Sequence, residues 1–284
     1  MSLKNAIFSL FPLLLLVACE QSPVVNSSKM VDATAETVAK NQTVYQELDI
    51  EHQQDFFLAK KGLIAAYDNQ VIISDDGEVV WDTDAYQFVK GKAPATVNPS
   101  LWRQETLNNI RGLFEVSAGI YQLRGFDFAN MTLIEGESGW IVVDPLTSIE
   151  TAKAALAFAF VHLKKMPIKS IILTHAHIDH FGGVQGIATK KMIEQQKIRV
   201  IAPVGFMEAA TSENILAGVA MARRAGFMYG KDLIRSELGH VGSGLGTGPA
   251  YGTFSLVSPN ELITETGQKK TIDGVEFIFQ NAPE

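Results

Sequence analysis

The chain has 284 residues, of which 46% are hydrophobic and 19% charged, so it can build a substantial core and disorder is not expected over most of its length. Its formal net charge is -7 at pH 7 and it contains no block of Lys or Arg, which argues against nucleic acid as the main partner. The single cysteine excludes an internal disulfide framework.

The N-terminal residues have the pattern of a targeting segment. Residues 1–18 contain Lys4 and then an apolar run over 7–17, which is too short for a bilayer span of roughly 20 residues. The run ends in Leu16-Val17-Ala18-Cys19, which resembles a bacterial lipobox. This resemblance implies a lipoprotein signal peptide, cleavage before Cys19 and lipidation of that cysteine, and the alternative is an ordinary secretory peptide with a chance cysteine. We therefore expect a lipid-anchored protein of the bacterial cell envelope, facing the periplasm or the cell surface, with residues 19–46 as a tether.

Hydrophobic periodicity and turn residues predict a domain of the α/β (α+β) class over residues 47–284. Helices are predicted over 33–42, 53–60, 101–113, 149–163, 183–196 and 206–228, the last interrupted at Gly218 and Gly226. Strands are predicted over 70–74, 78–81, 120–123, 131–135, 140–143, 171–173, 198–201, 254–257, 262–263 and 275–279. Trp81 and Trp102 are interpreted as packing residues, and His162 as a structural or surface residue.

The residues with the most specific chemistry form one short stretch, His175-Ala176-His177-Ile178-Asp179-His180, between an apolar strand and two glycines. In extended chain, residues two apart point the same way, so His175 and His177 can bind one metal ion. Asp179 and His180 lie where the chain turns towards a helix and can face a second ion. Imidazole and carboxylate ligands suit zinc or a similar divalent metal, and two adjacent metals can activate a water molecule. Solvated loop histidines are the alternative, which four ligand-type residues in this order disfavour.

Other polar residues are weaker candidates. Asp144 ends the apolar strand 140–143, where a carboxylate needs partners, so it either orients the metal-binding loop or serves as a helix cap or turn residue. Arg223 and Arg224 are adjacent cations that could meet an anionic substrate, although such residues are more often solvated or ion-paired. His240 and Tyr251 lie in the glycine-dense loop 239–252 and are further candidates for contact with a ligand.

The order H-x-H-x-D-H resembles the signature of the metallo-β-lactamase superfamily, which implies an αββα sandwich. Longer segments resemble one branch of it, the alkyl sulfatases, over about residues 50–284. Those segments are 98–104, 112–116, 120–127, 129–132, 212–214, 220–226, 228–230 and 244–246. The superfamily resemblance also favours the interpretation of Asp144 as the residue that orients the metal loop.

The resemblance implies a zinc enzyme with two ions per site, one bound by His175 and His177 and the other by Asp179 and His180. Its expected reaction is the hydrolysis of linear alkyl sulfates, such as dodecyl sulfate, to an alcohol and inorganic sulfate by a metal-activated water. An apolar pocket would bind the alkyl tail at roughly 0.8 kcal/mol per buried methylene. Full-length members of the family are expected to be homodimers.

The family pattern continues beyond Glu284 with further metal ligands, a dimerisation domain and a sterol-carrier-like domain. We therefore expect this chain to be a fragment that carries the N-terminal portion of the catalytic domain, with the second half of the sandwich incomplete. As an isolated chain it is expected to bind metal weakly and to be poorly folded or inactive. The alternatives are another hydrolase of the superfamily, acting on a lactam, thioester or phosphodiester, or a non-catalytic lipoprotein with a vestigial metal site.

Overall fold

The computed structural model describes residues 30–68 and 70–282. The chain divides after Met30 into two units, and the helices and strands described below belong to the second, Val31–Glu284. The predicted signal peptide over 1–18 and the predicted lipidation site at Cys19 lie outside the described residues. Within the described ranges, no helix is both long enough and apolar enough to cross a membrane.

Twelve strands and eight α-helices are seen in the described part of the chain. The strands are β1 (Leu63–Ala66), β2 (Val71–Ile73), β3 (Val79–Asp82), β4 (Gly112–Ser117), β5 (Ile120–Arg124), β6 (Met131–Glu135), β7 (Trp140–Val143), β8 (Ile168–Ile172), β9 (Arg199–Pro203), β10 (Glu261–Ile263), β11 (Gln268–Ile272) and β12 (Val275–Phe279). The helices are α1 (Ala35–Glu47), α2 (Gln54–Lys60), α3 (Pro99–Asn108), α4 (Ile149–His162), α5 (Val184–Ile187), α6 (Lys190–Gln196), α7 (Phe206–Thr211) and α8 (Gly218–Tyr229).

An eight-stranded sheet forms the centre of the fold, in the order β1-β4-β5-β6-β7-β8-β9-β10. Pairing is antiparallel from β1 to β7 and parallel from β7 to β10. Helices α4 to α8 lie in the crossovers that parallel pairing requires. Since the carboxyl ends of parallel strands meet at one edge, the residues that follow β7 and β8 come together there. The amide of Asp144 accordingly donates to the carbonyl of Ile172 at 3.0 Å.

One face of the sheet packs against helix α4. Ser148 caps this helix by accepting a hydrogen bond from the amide of Thr151 at 3.1 Å. The small residues of its inner face are fully buried, which lets the helix approach the sheet closely. The buried residues of this interface include Ala152, Ala155, Ala159, Trp140, Val142, Ile171 and Leu173.

The other face of the sheet is covered by the hairpin β11–β12. Isoleucines from β7, β8, β9 and β10 are buried there and pack against apolar side chains of the hairpin; they are Ile141, Ile172, Ile201 and Ile263. The layers are therefore helix, central sheet and hairpin. This mixed α/β architecture agrees with the predicted fold class. Within the described residues two small sheets accompany the central one, this hairpin and the antiparallel pair β2–β3.

The range predicted to be a tether, 19–46, contains part of the folded unit. Helix α1 covers Ala35–Glu47, longer than the predicted 33–42. Its Asn41 is buried and donates to the carbonyl of Ala95 at 2.8 Å. Because a buried side chain ties this helix to a distant loop, residues 31–46 belong with the domain, and the tether prediction was too long.

Three helix predictions need correction. The helix predicted over 101–113 ends at Asn108, because Gly112 adopts φ 140 and begins β4, so Leu113 is buried in a strand. The helix predicted over 183–196 is split, since Thr189 caps a second helix by accepting a hydrogen bond from the amide of Met192. The segment 206–228 contains a π-helical turn, Ser212–Leu216, and Gly226 does not interrupt α8.

The strand predicted over 254–257 was wrong. The backbone and hydroxyl of Ser255 both donate to the carbonyl of Gly182, at 2.8 and 3.0 Å, so this segment bonds to a loop and not to the sheet. The predicted packing role of Trp81 and Trp102 is confirmed. Both are buried and donate their indole N–H to backbone carbonyls, of Gly125 and Gly91 respectively, at 3.0 Å.

Candidate metal centre

The segment that follows β8, Thr174–Phe181, contains the predicted ligands, and we call it the metal loop. It leaves the sheet in extended conformation and closes into a 3-10 turn over Ile178–His180. The amide of His180 donates to the carbonyl of His177 at 3.0 Å, and the amide of Gly182 donates to that of Ile178 at 2.8 Å. These two bonds fold the loop back on itself and bring the four predicted ligands close together.

The predicted ligands form two pairs. Nε2 of His175 lies 3.1 Å from Nδ1 of His177, and Nε2 of His180 lies 3.3 Å from Oδ2 of Asp179. Ligand atoms that share a tetrahedral zinc ion, at about 2.0–2.1 Å from the metal, are roughly 3.3 Å apart. Both distances are compatible with donors that share a divalent ion. The ring of His175 also lies against that of His180, with centroids 4.0 Å apart, so the division of the four ligands between two ions stays a prediction.

The number of donors falls short of a complete site. Among residues 30–68 and 70–282, no group of three or more His, Cys, Asp or Glu side chains is arranged to hold a metal ion. Catalytic zinc ions usually have three protein ligands. The described part of the chain thus supplies two donors per ion.

Asp144 connects β7 to the metal loop. Its Oδ1 accepts a hydrogen bond from the amide of Thr174 at 2.9 Å, and its Oδ2 accepts one from the Thr174 hydroxyl at 2.7 Å. Oδ2 also accepts from Nδ1 of His180 at 2.8 Å. With Nδ1 occupied, the remaining nitrogen of His180 is directed at Asp179. This is the arrangement by which a carboxylate beyond the ligands fixes the tautomer and ring direction of a metal-binding histidine.

The two carboxylates around His180 also change its proton affinity. Burial opposes the charged imidazolium, but hydrogen bonds with Asp144 and Asp179 and their negative charges outweigh it and raise the pKa of His180 to about 10. For Asp179, burial acts to raise the pKa, while the hydrogen bond and charge of His180 lower it, and the net shift is downward. In the metal-free site the two carboxylates therefore favour the protonated form of His180.

Gly182 and Gly183 let the metal loop lie against the turn that follows Asp144. The amide of Gly183 donates to the carbonyl of Leu146 at 2.9 Å. A Cβ at Gly182 would overlap the carbonyl oxygen of Thr147, and one at Gly183 would overlap that of Pro145. The two glycines are therefore required by close backbone contact.

Sequence reasoning missed Glu213 as a neighbour of the site. It lies in the π-helical turn Ser212–Leu216, and its Oε2 is 4.0 Å from Nε2 of His177. π-helical turns are often found at functional sites. In the sequence, residues 212–214 contributed only to the family resemblance. Nothing in their local pattern places Glu213 beside a loop that lies 36 residues earlier in the chain.

The residues predicted to contact substrate do not form one group. Arg223 and Arg224 are exposed on α8. Tyr251 lines a cavity of about 160 Å³, whose walls also include Trp81, Tyr86, Tyr229, Lys231 and Arg235. Burial raises the pKa of Tyr229; the charges of Asp179 and Glu213 add to that rise, and the charge of Arg224 opposes it.

His240 and His162 are not part of the site. Nδ1 of His240 hydrogen-bonds the buried hydroxyl of Tyr86 at 2.8 Å, so this histidine has a structural role. His162 lies exposed on α4 with its ring against Phe158, as predicted for a surface residue.

Comparison with known proteins identifies the class. Residues 124–261 match the family model of the metallo-beta-lactamase superfamily. They include β6 to β9, Asp144 and the whole metal loop. This part of the chain is therefore similar to the metallo-β-lactamase superfamily.

Within that class the chain is similar to alkylsulfatases, which confirms the resemblance seen in its sequence segments. It is 50% identical over 250 residues to an (R)-specific secondary-alkylsulfatase of Pseudomonas sp, covering 87% of this chain and 38% of that protein. It is 46% identical over 253 residues to a linear primary-alkylsulfatase of Pseudomonas sp, with coverages of 88% and 38%.

A solved structure gives the same result. The stereoselective inverting sec-alkylsulfatase from Pseudomonas sp. matches with a TM-score of 0.85 and 49% identity over 88% of this chain and 40% of that chain. The chain thus spans about two fifths of the length of these relatives.

Proposed function

We propose that the protein hydrolyses alkyl sulfates, in the reaction R–O–SO₃⁻ + H₂O → R–OH + HSO₄⁻, and that linear alkyl sulfates such as dodecyl sulfate are substrates. The observation that carries this proposal is the metal loop held by Asp144, in a chain that is 44–50% identical to three alkylsulfatases. A sulfate monoester anion reacts slowly with water, so the site must bring an activated water to the ester and neutralise charge on the sulfate oxygens.

We assign the metal to zinc, with two ions per site. His175 and His177 would hold one ion, and Asp179 and His180 the other. When bound, such ions supply a water that is deprotonated near neutral pH and positive charge beside the sulfate. The protein's own contribution is positional: Asp144 and Thr174 fix the direction of the loop, and the hydrogen bond between Asp144 and His180 keeps Nε2 of that ring free to face the ion.

The cavity beside Tyr229 supports an anionic substrate with an apolar body. Nζ of Lys231 lies 4.6 Å from the ring centroid of Tyr251, and the guanidinium of Arg235 lies 5.4 Å from that of Tyr86. Cations placed against aromatic rings offer both charge and an apolar surface. We propose that these two cations contact the substrate; the contribution of Arg223 and Arg224 stays a prediction.

The test is sulfate release from dodecyl sulfate by the zinc-loaded protein. We expect release to be lost in His177→Ala, because one ion loses half of its described donors, and to be retained in the matched variant His162→Ala, whose ring is exposed on α4. Sulfate release that survives His177→Ala would contradict the assignment of the site. Equal activity on a lactam, thioester or phosphodiester would favour another hydrolase of the superfamily.

One observation favours a second candidate, a non-catalytic metal-binding lipoprotein. The described residues supply two donors per ion, below the three usual at a catalytic zinc. Calorimetry with zinc separates the two candidates when combined with the sulfate assay. Zinc binding that depends on His175 and His177, without sulfate release from any alkyl sulfate, would support the second candidate and contradict the first.

We also propose that the protein is anchored to a membrane of the bacterial cell envelope through lipid on Cys19. The support is the lipobox-like sequence that ends the apolar run. Cells fed a labelled fatty acid should incorporate it into the wild type and not into Cys19→Ala, which should leave the membrane fraction. Equal membrane association of the two proteins would contradict the anchor.

A further inference from the structure

Asp127 is a buried carboxylate that the proposed chemistry does not use. Its side chain is 5% exposed and it accepts five hydrogen bonds. Oδ1 accepts from the amide of Phe128 at 2.7 Å, the hydroxyl of Thr147 at 3.0 Å and the amide of Ala250 at 3.1 Å. Oδ2 accepts from the amide of Thr147 and the hydroxyl of Thr151, both at 2.9 Å. Every partner is a donor, as an ionised carboxylate requires.

These bonds join three segments that are far apart in sequence. They are the loop after β5, the turn between β7 and α4, and the end of the glycine-dense loop at Ala250. The turn is the segment that carries Asp144. Asp127 therefore binds the turn that carries Asp144, and Asp144 in turn orients the metal loop.

The turn needs such support because its backbone is strained. Asp144 has φ 54 and Leu146 has φ 65, on either side of Pro145. The left-handed region is unfavourable for a side chain such as that of Leu, and residues held there persist only where their surroundings impose it. Leu146 is fully buried, and the next residue, Thr147, gives both its amide and its hydroxyl to Asp127.

We propose that Asp127 is a positioning residue for the metal centre, acting through the strained turn 144–147 on Asp144 and from there on Thr174 and His180. Its hydrogen bonds to Thr147 fix the end of the turn, and the turn directs the Asp144 carboxylate into the metal loop. The same turn also binds the residues that follow the metal loop, because the amide of Gly183 donates to the carbonyl of Leu146. This inference rests on the metal site proposed above, but its first readout needs no metal.

The two acceptor oxygens of Asp127, and not only its shape, are required. In Asp127→Asn one oxygen becomes an NH₂ group. At the Oδ1 position this group would face the amides of Phe128 and Ala250, and at the Oδ2 position it would face the amide of Thr147. Either orientation sets donor against donor in a buried site, so the turn must move.

Glu105 offers a matched control. It is also fully buried, and it ties α3 to the other end of the glycine-dense loop by accepting from the amide of Gly244 at 2.8 Å. Burial raises the pKa of both carboxyl groups. Glu105 makes no hydrogen bond to the turn 144–147. Glu105→Gln therefore measures the stability that is lost when a buried acid without a hydrogen-bonded connection to the metal loop is changed.

The experiment compares wild type, Asp127→Asn and Glu105→Gln. The first readout is proton NMR of the metal-free protein, in which the Nδ1 proton of His180, bonded to Asp144, gives a low-field signal. The second is zinc affinity by chelator competition, with the visible spectrum of bound Co²⁺. We expect Asp127→Asn to shift or lose the His180 signal, to weaken zinc binding by about 10- to 100-fold and to change the Co²⁺ bands. Glu105→Gln should lower the melting temperature and leave the His180 signal, the zinc affinity and the Co²⁺ bands unchanged.

Equal effects of the two substitutions, or an Asp127→Asn protein that keeps the wild-type His180 signal, would overturn the proposal. If Asp127→Asn does not fold, Thr151→Val decides, because it removes the hydroxyl bond to Asp127, together with the contacts of this hydroxyl to Ser148, and retains the backbone donors to Asp127. A Thr151→Val protein with a shifted His180 signal supports the positioning role, and one with lower stability but an unchanged signal refutes it. If the wild type binds no zinc, the proposed metal site fails, while the NMR comparison still tests Asp127.

Discussion

Oδ2 of Asp144 receives hydrogen bonds from both the hydroxyl of Thr174 and Nδ1 of His180, at 2.7 and 2.8 Å. One oxygen thus fixes the first side chain of the metal loop and the last of its predicted ligands. The bond is possible because β7 and β8 are parallel neighbours and end at the same edge of the sheet. The topology of the sheet therefore determines the direction of the ligands.

The substitution Asp144→Asn should weaken metal binding. Asn adopts the left-handed backbone conformation of this position readily, so the turn is preserved. The NH₂ group of Asn cannot accept a hydrogen bond, so it cannot replace both carboxylate oxygens that bind Thr174 and His180. The tautomer of His180 is then no longer fixed. We expect zinc affinity to fall by about 10- to 100-fold, measured by chelator competition.

Asp273→Asn is the control for that change. Asp273 also has a positive φ, of 45, and its carboxylate accepts from Ser138 and Gly139, far from the metal loop. It should lose stability without losing zinc affinity. If both variants bind zinc as the wild type does, Asp144 has only a turn role, which is the alternative left open by the sequence.

Gly183→Ala should displace the metal loop. Its Cβ would overlap the backbone oxygens of Pro145 and Ser148 and the side chain of Ala152, none of which is the flexible end of a long side chain. We expect a loss of about 1–3 kcal/mol in the free energy of unfolding, together with weaker zinc binding. Urea denaturation and zinc titration of the same preparation measure the two effects.

Gly218→Ala is the matched substitution for this test. Gly218 begins α8 and has no atom within 4 Å of a Cβ built on it. Ala should be neutral there or stabilise by about 0.4–1 kcal/mol, since it restricts the unfolded chain. An equal loss of stability in both variants would mean that close contact with the turn is not the reason for glycine at position 183.

The metal loop was predictable because its signals are local. Four ligand-type residues follow an apolar strand and precede two glycines, and Asp144 ends the neighbouring strand. The position of Asp144 could be inferred since only the order and direction of two strands are needed. The role of Asp127 could not be inferred, because all its partners except Phe128 lie 20, 24 or 123 residues away and no local pattern marks them.

The errors in the predicted elements have two causes. The helix predicted over 101–113 was too long because Leu113 continues its apolar period, whereas Gly112 is packed against the backbone of Ala65 and starts a strand. The residues of β11, Gln268–Ile272, are largely polar, so its pairing with β12 was missed. In the first case a partner distant in sequence decides the conformation. In the second the partner strand is adjacent in sequence, and the polar composition of β11 hid the strand.

Arg235→Ala should raise the KM for dodecyl sulfate more than it lowers kcat. Arg235 lines the cavity beside Tyr229, and a hydrogen bond to a charged group contributes about 1.5–3 kcal/mol, so KM should rise roughly tenfold or more. Arg224→Ala serves as the comparison, because Arg224 is exposed on α8 and does not line that cavity, although its charge acts on Tyr229 in the cavity wall. A larger KM effect in Arg224→Ala would support the prediction made from the sequence and remove the cavity from substrate binding.

Glu261 should contribute stability that is lost in acid. Its carboxylate accepts from Nε and Nη2 of Arg199 at 2.8 and 2.9 Å, and it lies 2.6 Å from Nζ of Lys270, so it joins β9, β10 and β11. The hydrogen bonds with Arg199 have the largest effect; burial opposes them, Lys270 adds to them, and together they lower the pKa of Glu261 from 4.5 to about 2. Because the folded-state pKa is the lower one, this stabilisation is present above pH 4.5 and disappears as the pH falls towards 2.

Glu261→Gln should therefore lower the free energy of unfolding at pH 7, and its difference from the wild type should shrink between pH 4.5 and 2. Urea denaturation at a series of pH values measures this difference directly. Glu276→Gln is the control on the adjacent hairpin, since Glu276 is 68% exposed and its partner Lys269 lies 4.0 Å away, where solvent screens the pair. A difference between Glu261→Gln and the wild type that stays constant from pH 7 to 2 would show that Glu261 stabilises the edge of the sheet by packing, and not by its charge.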